Sequence, residues 1–406
     1  MKKLYLAYIK RFFVGKNRFL IISSCSESWG GSEELWNNVA KLLKAKKYNV
    51  TLYKDFIDYD HNKIQSLKDD GVAIFSILNS LNFGYRFAYK LLIKIRFPFI
   101  ERYKGHYLIN QIFRKKGLTT LLKKYNYDKV IISQGINYDG LDYAWICNKL
   151  GIEYYTISQK VIETSFIQGK DAVAKAKKSL LEAKHNFFVS EHNLKITEEQ
   201  ICSKIKNATV VYNPNKFQTL NNFPETDFEV DTFNFLCVGR YYFSEKGQDV
   251  LLRILAQEKW KKRPIKLKMI GSGMDHEVLK NRIAYYKLKN VEISDFKLDL
   301  EEEWKNAHGL ILSSKHEGMP LVMLEAMSIG KICIMGDAGG VNEVIQDSYN
   351  GFIGAPTTVG FDIAMERAWQ MKKDWKLIAE NARETLKDIE KKEYPSEKKV
   401  LDILLN

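Results

Sequence analysis

A chain of 406 residues with 45% hydrophobic and 13% aromatic residues and only 7 prolines is too long for one ordinary core and too apolar to be disordered, so two folded domains are expected. Its five cysteines are scattered, odd in number and free of C-x-x-C spacing, which points away from a disulfide framework or a zinc knuckle and towards a reducing cytosol. The formal charge of +14 calls for an anionic partner, and the absence of a recognisable nucleic-acid module leaves anionic lipid or a phosphorylated substrate.

In chain order, Leu4 to Ile9 after Met-Lys-Lys looks briefly like a signal peptide, but Lys10 and Arg11 interrupt it and no small-residue cleavage site follows. No run approaches the ~20 apolar residues of a membrane span, so a cytoplasmic chain, peripheral at the inner face of the membrane, is expected. Residues 19–22 read as a buried strand, 23–32 as a loop holding Gly30 and Gly31, and 33–46 as a helix with Leu35, Val39, Leu42 and Leu43 at helical spacing. Residues 50–53 return as a strand and complete a β-α-β unit. Asp58-Tyr59-Asp60-His61 has the D-x-D spacing of a metal site and is read as a solvated loop. Between residues 85 and 125, basic residues including Arg86, Lys90, Lys94, Arg114, Lys115 and Lys116 face a single acid, Glu101, and alternate with aromatics. That stretch is a basic amphipathic candidate for a membrane surface, or an ordinary pair of solvated helix faces.

Strands at 130–132, 154–157 and 186–189 continue the first set. A second set follows the linker near residues 212–214, with strands at 235–238, 267–270, 291–293, 309–312 and 331–335 and a helix from 247 to about 259. Strands alternating with helices give two doubly wound parallel sheets. The domains expected are 1–212, 213–390, and a C-terminal helix in 391–406 crossing back to the first.

The strongest local signal runs from Ser313 to Met327. Pro320 suits a helix's first turn, and a helix starting just past a strand's carboxyl end aims its free N–H groups, those near Gly318, Met319, Pro320, Leu321 and Val322, into the crevice where open α/β sheets bind phosphate. Glu317 before the turn and Glu325 among apolar neighbours in the helix are acceptors for sugar and ribose hydroxyls; an unpaired Glu325 buried there would be costly. Arg240 closes the strand 235–238, and Lys246 is read at the next helix start, where the helix dipole disfavours a cation unless an anion is bound nearby. A diphosphate would satisfy both.

Glu317 to Glu325 resembles the E-x7-E motif of family-four retaining glycosyltransferases. Val238-Gly239-Arg240 with Lys246-Gly247 resembles that family's diphosphate-binding pair, Trp29-Gly30-Gly31-Ser32-Glu33 its N-terminal glycine-rich loop, Gly271-Ser272-Gly273 its donor-domain turn, and Gly339 to Val344 with Asn350-Gly351-Phe352 the loop after the motif. The resemblance implies an α/β GT-B fold, two Rossmann-like doubly wound domains facing across a cleft, and a nucleoside-diphosphate sugar as substrate, with no cofactor and no obligatory metal. It implies that Glu317 holds sugar hydroxyls, Glu325 the ribose, Arg240 and Lys246 the departing diphosphate, and Gly30 and Gly31 the same group from the other domain. Where many relatives keep a histidine this chain has Gln159, which cannot act as a base but can hydrogen-bond a hydroxyl or a developing charge. Gln134 and His192 are acceptor-side candidates, with a glycan or lipid-linked sugar as acceptor. Rival readings are a non-hydrolysing sugar-nucleotide epimerase, a phosphorylase, a dinucleotide oxidoreductase, and a non-catalytic membrane-associated nucleotide-sugar-binding subunit. The histidines show neither H-x3-H nor H-E-x-x-H spacing, so no zinc site is expected.

Overall fold

The computed structural model describes residues 18–25, 29–55, 57–92, 94, 99–165, 167, 169–214, 223–297, 299–392 and 395–406, with the side chains of 99–108 and 392 left out. The signal-peptide-like start and the side chains of Glu101, Arg102 and Lys104 therefore lie outside the described residues. The first sheet has strands β1 (Arg18–Ser23), β2 (Asn49–Lys54), β3 (Ala73–Phe75), β4 (Lys129–Gln134), β5 (Glu153–Ser158), β6 (His185–Phe188) and β7 (Ala208–Val210). All pair in parallel, in the order β3-β2-β1-β4-β5-β6-β7. The second has β8 (Phe233–Val238), β9 (Ile265–Ile270), β10 (Val291–Ser294), β11 (Gly309–Leu312), β12 (Ile332–Gly336) and β13 (Phe352–Gly354), again all parallel, in the order β10-β9-β8-β11-β12-β13.

Parallel sheets need helices on both faces, and their inner strands read as continuous apolar runs. β1, β4 and β5 are buried over their last five residues and β11 and β12 throughout. Leu20, Ile22, Val130, Ile132 and Tyr154 pack into one core with Leu118, Leu121 and Leu122 of the helix Phe99–Tyr125. In the second sheet Trp375 stands edge-on to Phe233 and Phe235, with ring centroids 4.9 and 5.7 Å away.

The chain forms two compact units. One holds the described residues up to Val189, Asn193–Tyr212 and Ser396–Asn406; the other holds Ser190–His192 and the described part of Asn213–Pro395. The helix Trp375–Lys392 runs through residue 391, and the last helix, Ser396–Leu405, packs on the helix Glu34–Ala45 of the first unit. It buries Val400, Leu401 and Leu404. Lys129 donates to the Leu404 carbonyl, and Lys399 Nζ to that of Val210 at 3.3 Å. No helix among the described residues is long and apolar enough to cross a membrane.

Each sheet has one point where the strand order reverses: between β1 and β4, and between β8 and β11. The loops after those strands part in opposite directions and leave a crevice at the carboxyl edge, the usual ligand position of such sheets.

Candidate functional site

In the second unit the crevice is built by the loops after β8 and β11. The first carries Gly239, Arg240 and Lys246; the second carries Ser313 to Pro320 and leads into the helix Leu321–Ser328. Four Ser313–Glu317 contacts knit them together. Ser313 Oγ donates to the Gly247 carbonyl at 2.7 Å, the Lys315 and His316 amides donate to the Glu245 carbonyl at 2.7 and 3.2 Å, and Lys246 Nζ reaches Glu317 Oε1 at 2.5 Å. Arg240 pairs with Glu245 at 2.9 Å, while Gln248 Nε2 holds the Arg240 carbonyl at 2.7 Å. Lys315 pairs with Asp249 at 3.1 Å. Two residues with no Cβ make this closeness possible. Gly247 has φ of 63°, and a Cβ there would lie 2.0 Å from the Ser313 carbonyl oxygen; at Gly271 it would lie 2.0 Å from the Gly239 carbonyl oxygen.

Two expectations for this region are corrected. Lys246 does not open a long helix: a short helix, Phe243–Lys246, ends on it, Gly247 turns the chain, and separate helices Gln248–Leu255 and Glu258–Lys261 follow. A lysine at a helix's last turn is welcome there, so the dipole gives no reason for a bound anion, and its pairing with Glu317 is what defines its position. Pro320 is the N-cap residue, with φ of −66° and ψ of 112°, one place before the first turn. Leu321 and Val322 then begin the helix, and their N–H groups have no carbonyl of that helix to reach. Glu325 sits in it at 7% exposure, level with Glu317 at 7%. Met319 is buried, and its carbonyl accepts from Asn213 Nδ2 at 3.3 Å; the Gly318 carbonyl accepts from the Gly340 amide at 2.7 Å.

The first unit's crevice has different chemistry. Gln134 ends β4 and Gln159 follows β5, with the Gln159 amide donating to the Gln134 carbonyl at 3.1 Å. Both side chains are buried; neither Gln159 Oε1 nor Nε2 has a hydrogen-bond partner among the described residues, nor has Gln134 Nε2. Beside them, burial pushes the Asp139 carboxyl up to about 6, against the pull of hydrogen bonds from the Ser24 hydroxyl (2.6 Å) and the Ile136 amide (3.0 Å).

Gly30 is extended and precedes a single 3-10 turn, Gly31–Glu33. Glu33 turns inward and is sealed: its Oε2 lies 2.9 Å from Lys54 Nζ, at the end of β2, with the two side chains 1% and 0% exposed. Ser23 Oγ donates to the same carboxylate at 2.9 Å, and Lys54 also donates to the Cys25 carbonyl at 2.9 Å. Trp29 donates to Glu34 at 3.0 Å and stacks on His61, centroids 5.4 Å apart and planes 16° apart. The Asp58 and Asp60 residues are exposed on a turn, as read from the sequence, while His61 is tied to Trp29.

His192, named as acceptor-side, groups instead with the second unit: its amide and that of Glu191 donate to the Glu343 carboxylate at 2.8 and 3.0 Å. Glu245, Lys54, Glu33 and Asp139 were not singled out. Glu245 and Glu33 lie inside quoted motifs and were visible as acids beside named residues; Lys54 and Asp139 gave no sequence signal, since only the sheet brings them to the crevices.

Comparison with known proteins places this geometry. The family described as glycosyl transferases group 1 matches residues 219–397, which span both loops of the second crevice. An uncharacterized glycosyltransferase of Haemophilus influenzae is 25% identical over 330 residues, 80% of this chain and 82% of that protein. The lipopolysaccharide 1,6-galactosyltransferase of Escherichia coli K12 is 30% identical over 176 residues, 40% of this chain and 46% of its own length. Among solved structures, Anabaena HepE in complex with UDP-glucose superposes with a TM-score of 0.68 at 15% identity, covering 91% of this chain and 94% of that one. WaaG, a glycosyltransferase involved in lipopolysaccharide biosynthesis, gives 0.65 at 15% identity over 95% and 98%. The fold is GT-B, two Rossmann-like α/β units, and residues 219–397 match the group 1 glycosyl transferases.

Proposed function

We propose that this glycosyltransferase is a retaining, metal-independent hexosyltransferase that moves a sugar from a nucleoside-diphosphate sugar to a glycan or lipid-linked acceptor in cell-surface polysaccharide synthesis, working peripherally at the cytoplasmic face of a membrane. The observation that carries the reading is the pair of cations at the second crevice, each resting on a carboxylate: Lys246 on Glu317 at 2.5 Å and Arg240 on Glu245 at 2.9 Å. Both are partly exposed, at 18% and 43%, so an incoming diphosphate can take them over without unfolding anything.

In that reading the bond from the anomeric carbon to the donor phosphate breaks, the acceptor oxygen bonds the same carbon on the same face, and the acceptor proton passes to the departing phosphate oxygen. Arg240, Lys246 and the N–H groups of Leu321 and Val322 take up the charge that grows on the leaving group, in the way a preorganised electrostatic site does. Glu317, released from Lys246, holds sugar hydroxyls, and Glu325 the ribose. Gly271 keeps the floor under the diphosphate low. From the first unit, the open amides of Gln159 and Gln134 suit sugar or acceptor hydroxyls, and Gly30 and Gly31 the diphosphate. HepE was solved with UDP-glucose, and the Escherichia coli relative is a lipopolysaccharide galactosyltransferase; both fit the donor and acceptor classes proposed.

The test is a thermal-shift panel of uridine, guanosine and adenosine diphosphates, followed by transfer assays with and without chelator. A ligand at 100 times its Kd adds about 2.7 kcal/mol of apparent stability. Silence with every nucleotide would favour a non-catalytic subunit, and loss of transfer on chelation would remove metal independence.

A further inference from the structure

The helix Phe83–Leu92 of the first unit has two apolar faces. One, with Ala88, Tyr89 and Leu92, packs on a small cluster of Ile77, Leu81, Ile109 and Phe113, and the Tyr89 hydroxyl reaches Asn110 at 2.8 Å. The other is a row at i, i+4 and i+8 that faces outward: Phe83 is 84% exposed, Phe87 66% and Leu91 60%. Two aromatic rings and a leucine in one row on a single short helix are not the scattered apolar residues of an ordinary surface. We propose that this row is the membrane-docking face of the protein, inserted at the headgroup boundary of a bilayer that carries anionic lipid.

Charge selects that occupant. The sequence has no Asp or Glu between Asp70 and Glu101, whereas Arg86, Lys90, Lys94 and Arg96 fall in the same interval. Arg86 is held by the carbonyls of Asn79 and Leu81, which leaves the exposed Lys90 and Lys94 to meet lipid phosphates. A second copy would bring the same basic interval against itself, so self-association through this face is opposed by like charge. Ten residues make a helix of about 15 Å, half a bilayer core, so it lies in the interface and does not cross it. Docking at this helix rests on the functional reading only in placing the chain at a membrane; sugar transfer is not required for it.

Sedimentation of the full chain with phosphatidylcholine vesicles, with and without phosphatidylglycerol, tests it. The parent is expected to pellet with the anionic vesicles, less at high salt but not to zero, because apolar insertion is not screened as phosphate contacts are. Phe83→Ser/Phe87→Ser/Leu91→Ser is expected to lower partitioning about tenfold or more at an unchanged melting temperature, since all three side chains are already in water. Lys90→Glu/Lys94→Glu is expected to remove the preference for anionic vesicles. Parent-like pelleting of the triple serine variant, equal pelleting of the parent with both vesicles, pelleting with neither, or a dimer in solution that the triple variant abolishes would each overturn the proposal. Transfer to a soluble acceptor is measured in parallel: a chain that transfers but never pellets loses the docking and keeps the function, and one that pellets but never transfers does the reverse.

Discussion

Both sheets carry a lysine–glutamate pair near the point where the strand order reverses, and the two pairs differ sharply in exposure. Lys54 and Glu33 lie 2.9 Å apart with side chains 0% and 1% exposed; Lys246 and Glu317 lie 2.5 Å apart at 18% and 8%. The sealed pair has further partners, Ser23 and the Cys25 carbonyl, that leave it nothing to offer a ligand. The open pair sits at a crevice mouth beside a helix N-terminus. Identical chemistry is thus left to the fold where water and ligand are shut out, and the proposed exchange with a diphosphate asks for the pair where they are admitted. Exposure of a few per cent to a few tens of per cent decides between them.

The largest expected effect separates the two directly. Removing one partner of a buried pair leaves the other charge uncompensated and costs about 3–5 kcal/mol, so Lys54→Met is expected to lower the melting temperature sharply, and the double variant Lys54→Met/Glu33→Gln to recover most of the loss. Calorimetry on the three proteins checks this. If the double variant is no better than the single, the pair is not what holds the turn after Gly30.

At the open pair the loss is in rate. Lys246→Ala and Arg240→Ala are expected to lower kcat about 10²- to 10³-fold, about 2.7–4 kcal/mol of transition-state stabilisation, because charge on the leaving group grows only as the bond breaks. Glu325→Ala is expected to act mainly on the donor KM, since ribose contacts barely change during reaction. Steady-state kinetics on the three variants gives the contrast, and transfer at the parent rate by Lys246→Ala would show that the diphosphate binds elsewhere.

What was legible in the sequence follows the same division. Buried inner strands announce themselves as apolar runs, and β1, β2, β4, β5, β6, β8, β9, β10, β11 and β12 were placed to within a few residues. The strands missed, β3, β7 and β13, are three residues each and lie at sheet edges, where nothing requires a continuous apolar run and three residues carry no period. Arg240, Lys246, Glu317 and Glu325 stand out in the sequence because they lie in glycine-marked loops and by a helix that follows Pro320, features local in sequence. Gly247, read as a helix start, instead ends the short helix Phe243–Lys246 and turns the chain, and that turn depends on a close approach to Ser313 that no local pattern shows. Lys54 and Asp139 are brought to their sites by strand order alone: Lys54 is the last residue of β2, and Asp139 meets Ser24 across 115 positions of chain. That His192 groups with the second unit was hidden for the same reason, since its partner Glu343 is far away in sequence.

Asp139 extends the comparison to a charge with no cation in hydrogen-bond reach among the described residues. Burial raises its pKa from 3.8 to about 6, so the folded chain keeps a proton that the unfolded chain releases near 4. This group favours folding most below that lower value and loses the advantage as pH rises towards 6, by roughly 2–3 kcal/mol in all. Asp139→Asn cannot ionise. The difference in melting temperature, variant minus parent, is therefore expected to rise between pH 4 and 6 and level off above, whatever its offset from the altered bonds to Ser24 and Ile136. Taking the difference cancels Asp55, which burial also raises to about 6. A flat difference would mean that water reaches the carboxylate.

The smallest stability effect concerns Gln159, where the first crevice offers unsatisfied hydrogen-bonding capacity. Neither amide atom of this buried side chain has a partner among the described residues, and a buried polar group without one costs about 1–3 kcal/mol. A chain that needed only a fold would put an apolar residue there. Gln159→Leu, close in volume, is accordingly expected to leave the free protein as stable as the parent or more stable by about 1–2 kcal/mol. If sugar or acceptor hydroxyls are what the amide meets, the same variant loses transfer, by about 10- to 100-fold for one or two hydrogen bonds at 1.4 kcal/mol per factor of ten. Melting temperature and transfer rate measured on one preparation give both readings, and they move in opposite directions only if the unsatisfied amide is kept for a ligand. A variant that is less stable and equally active would show that Gln159 serves the fold.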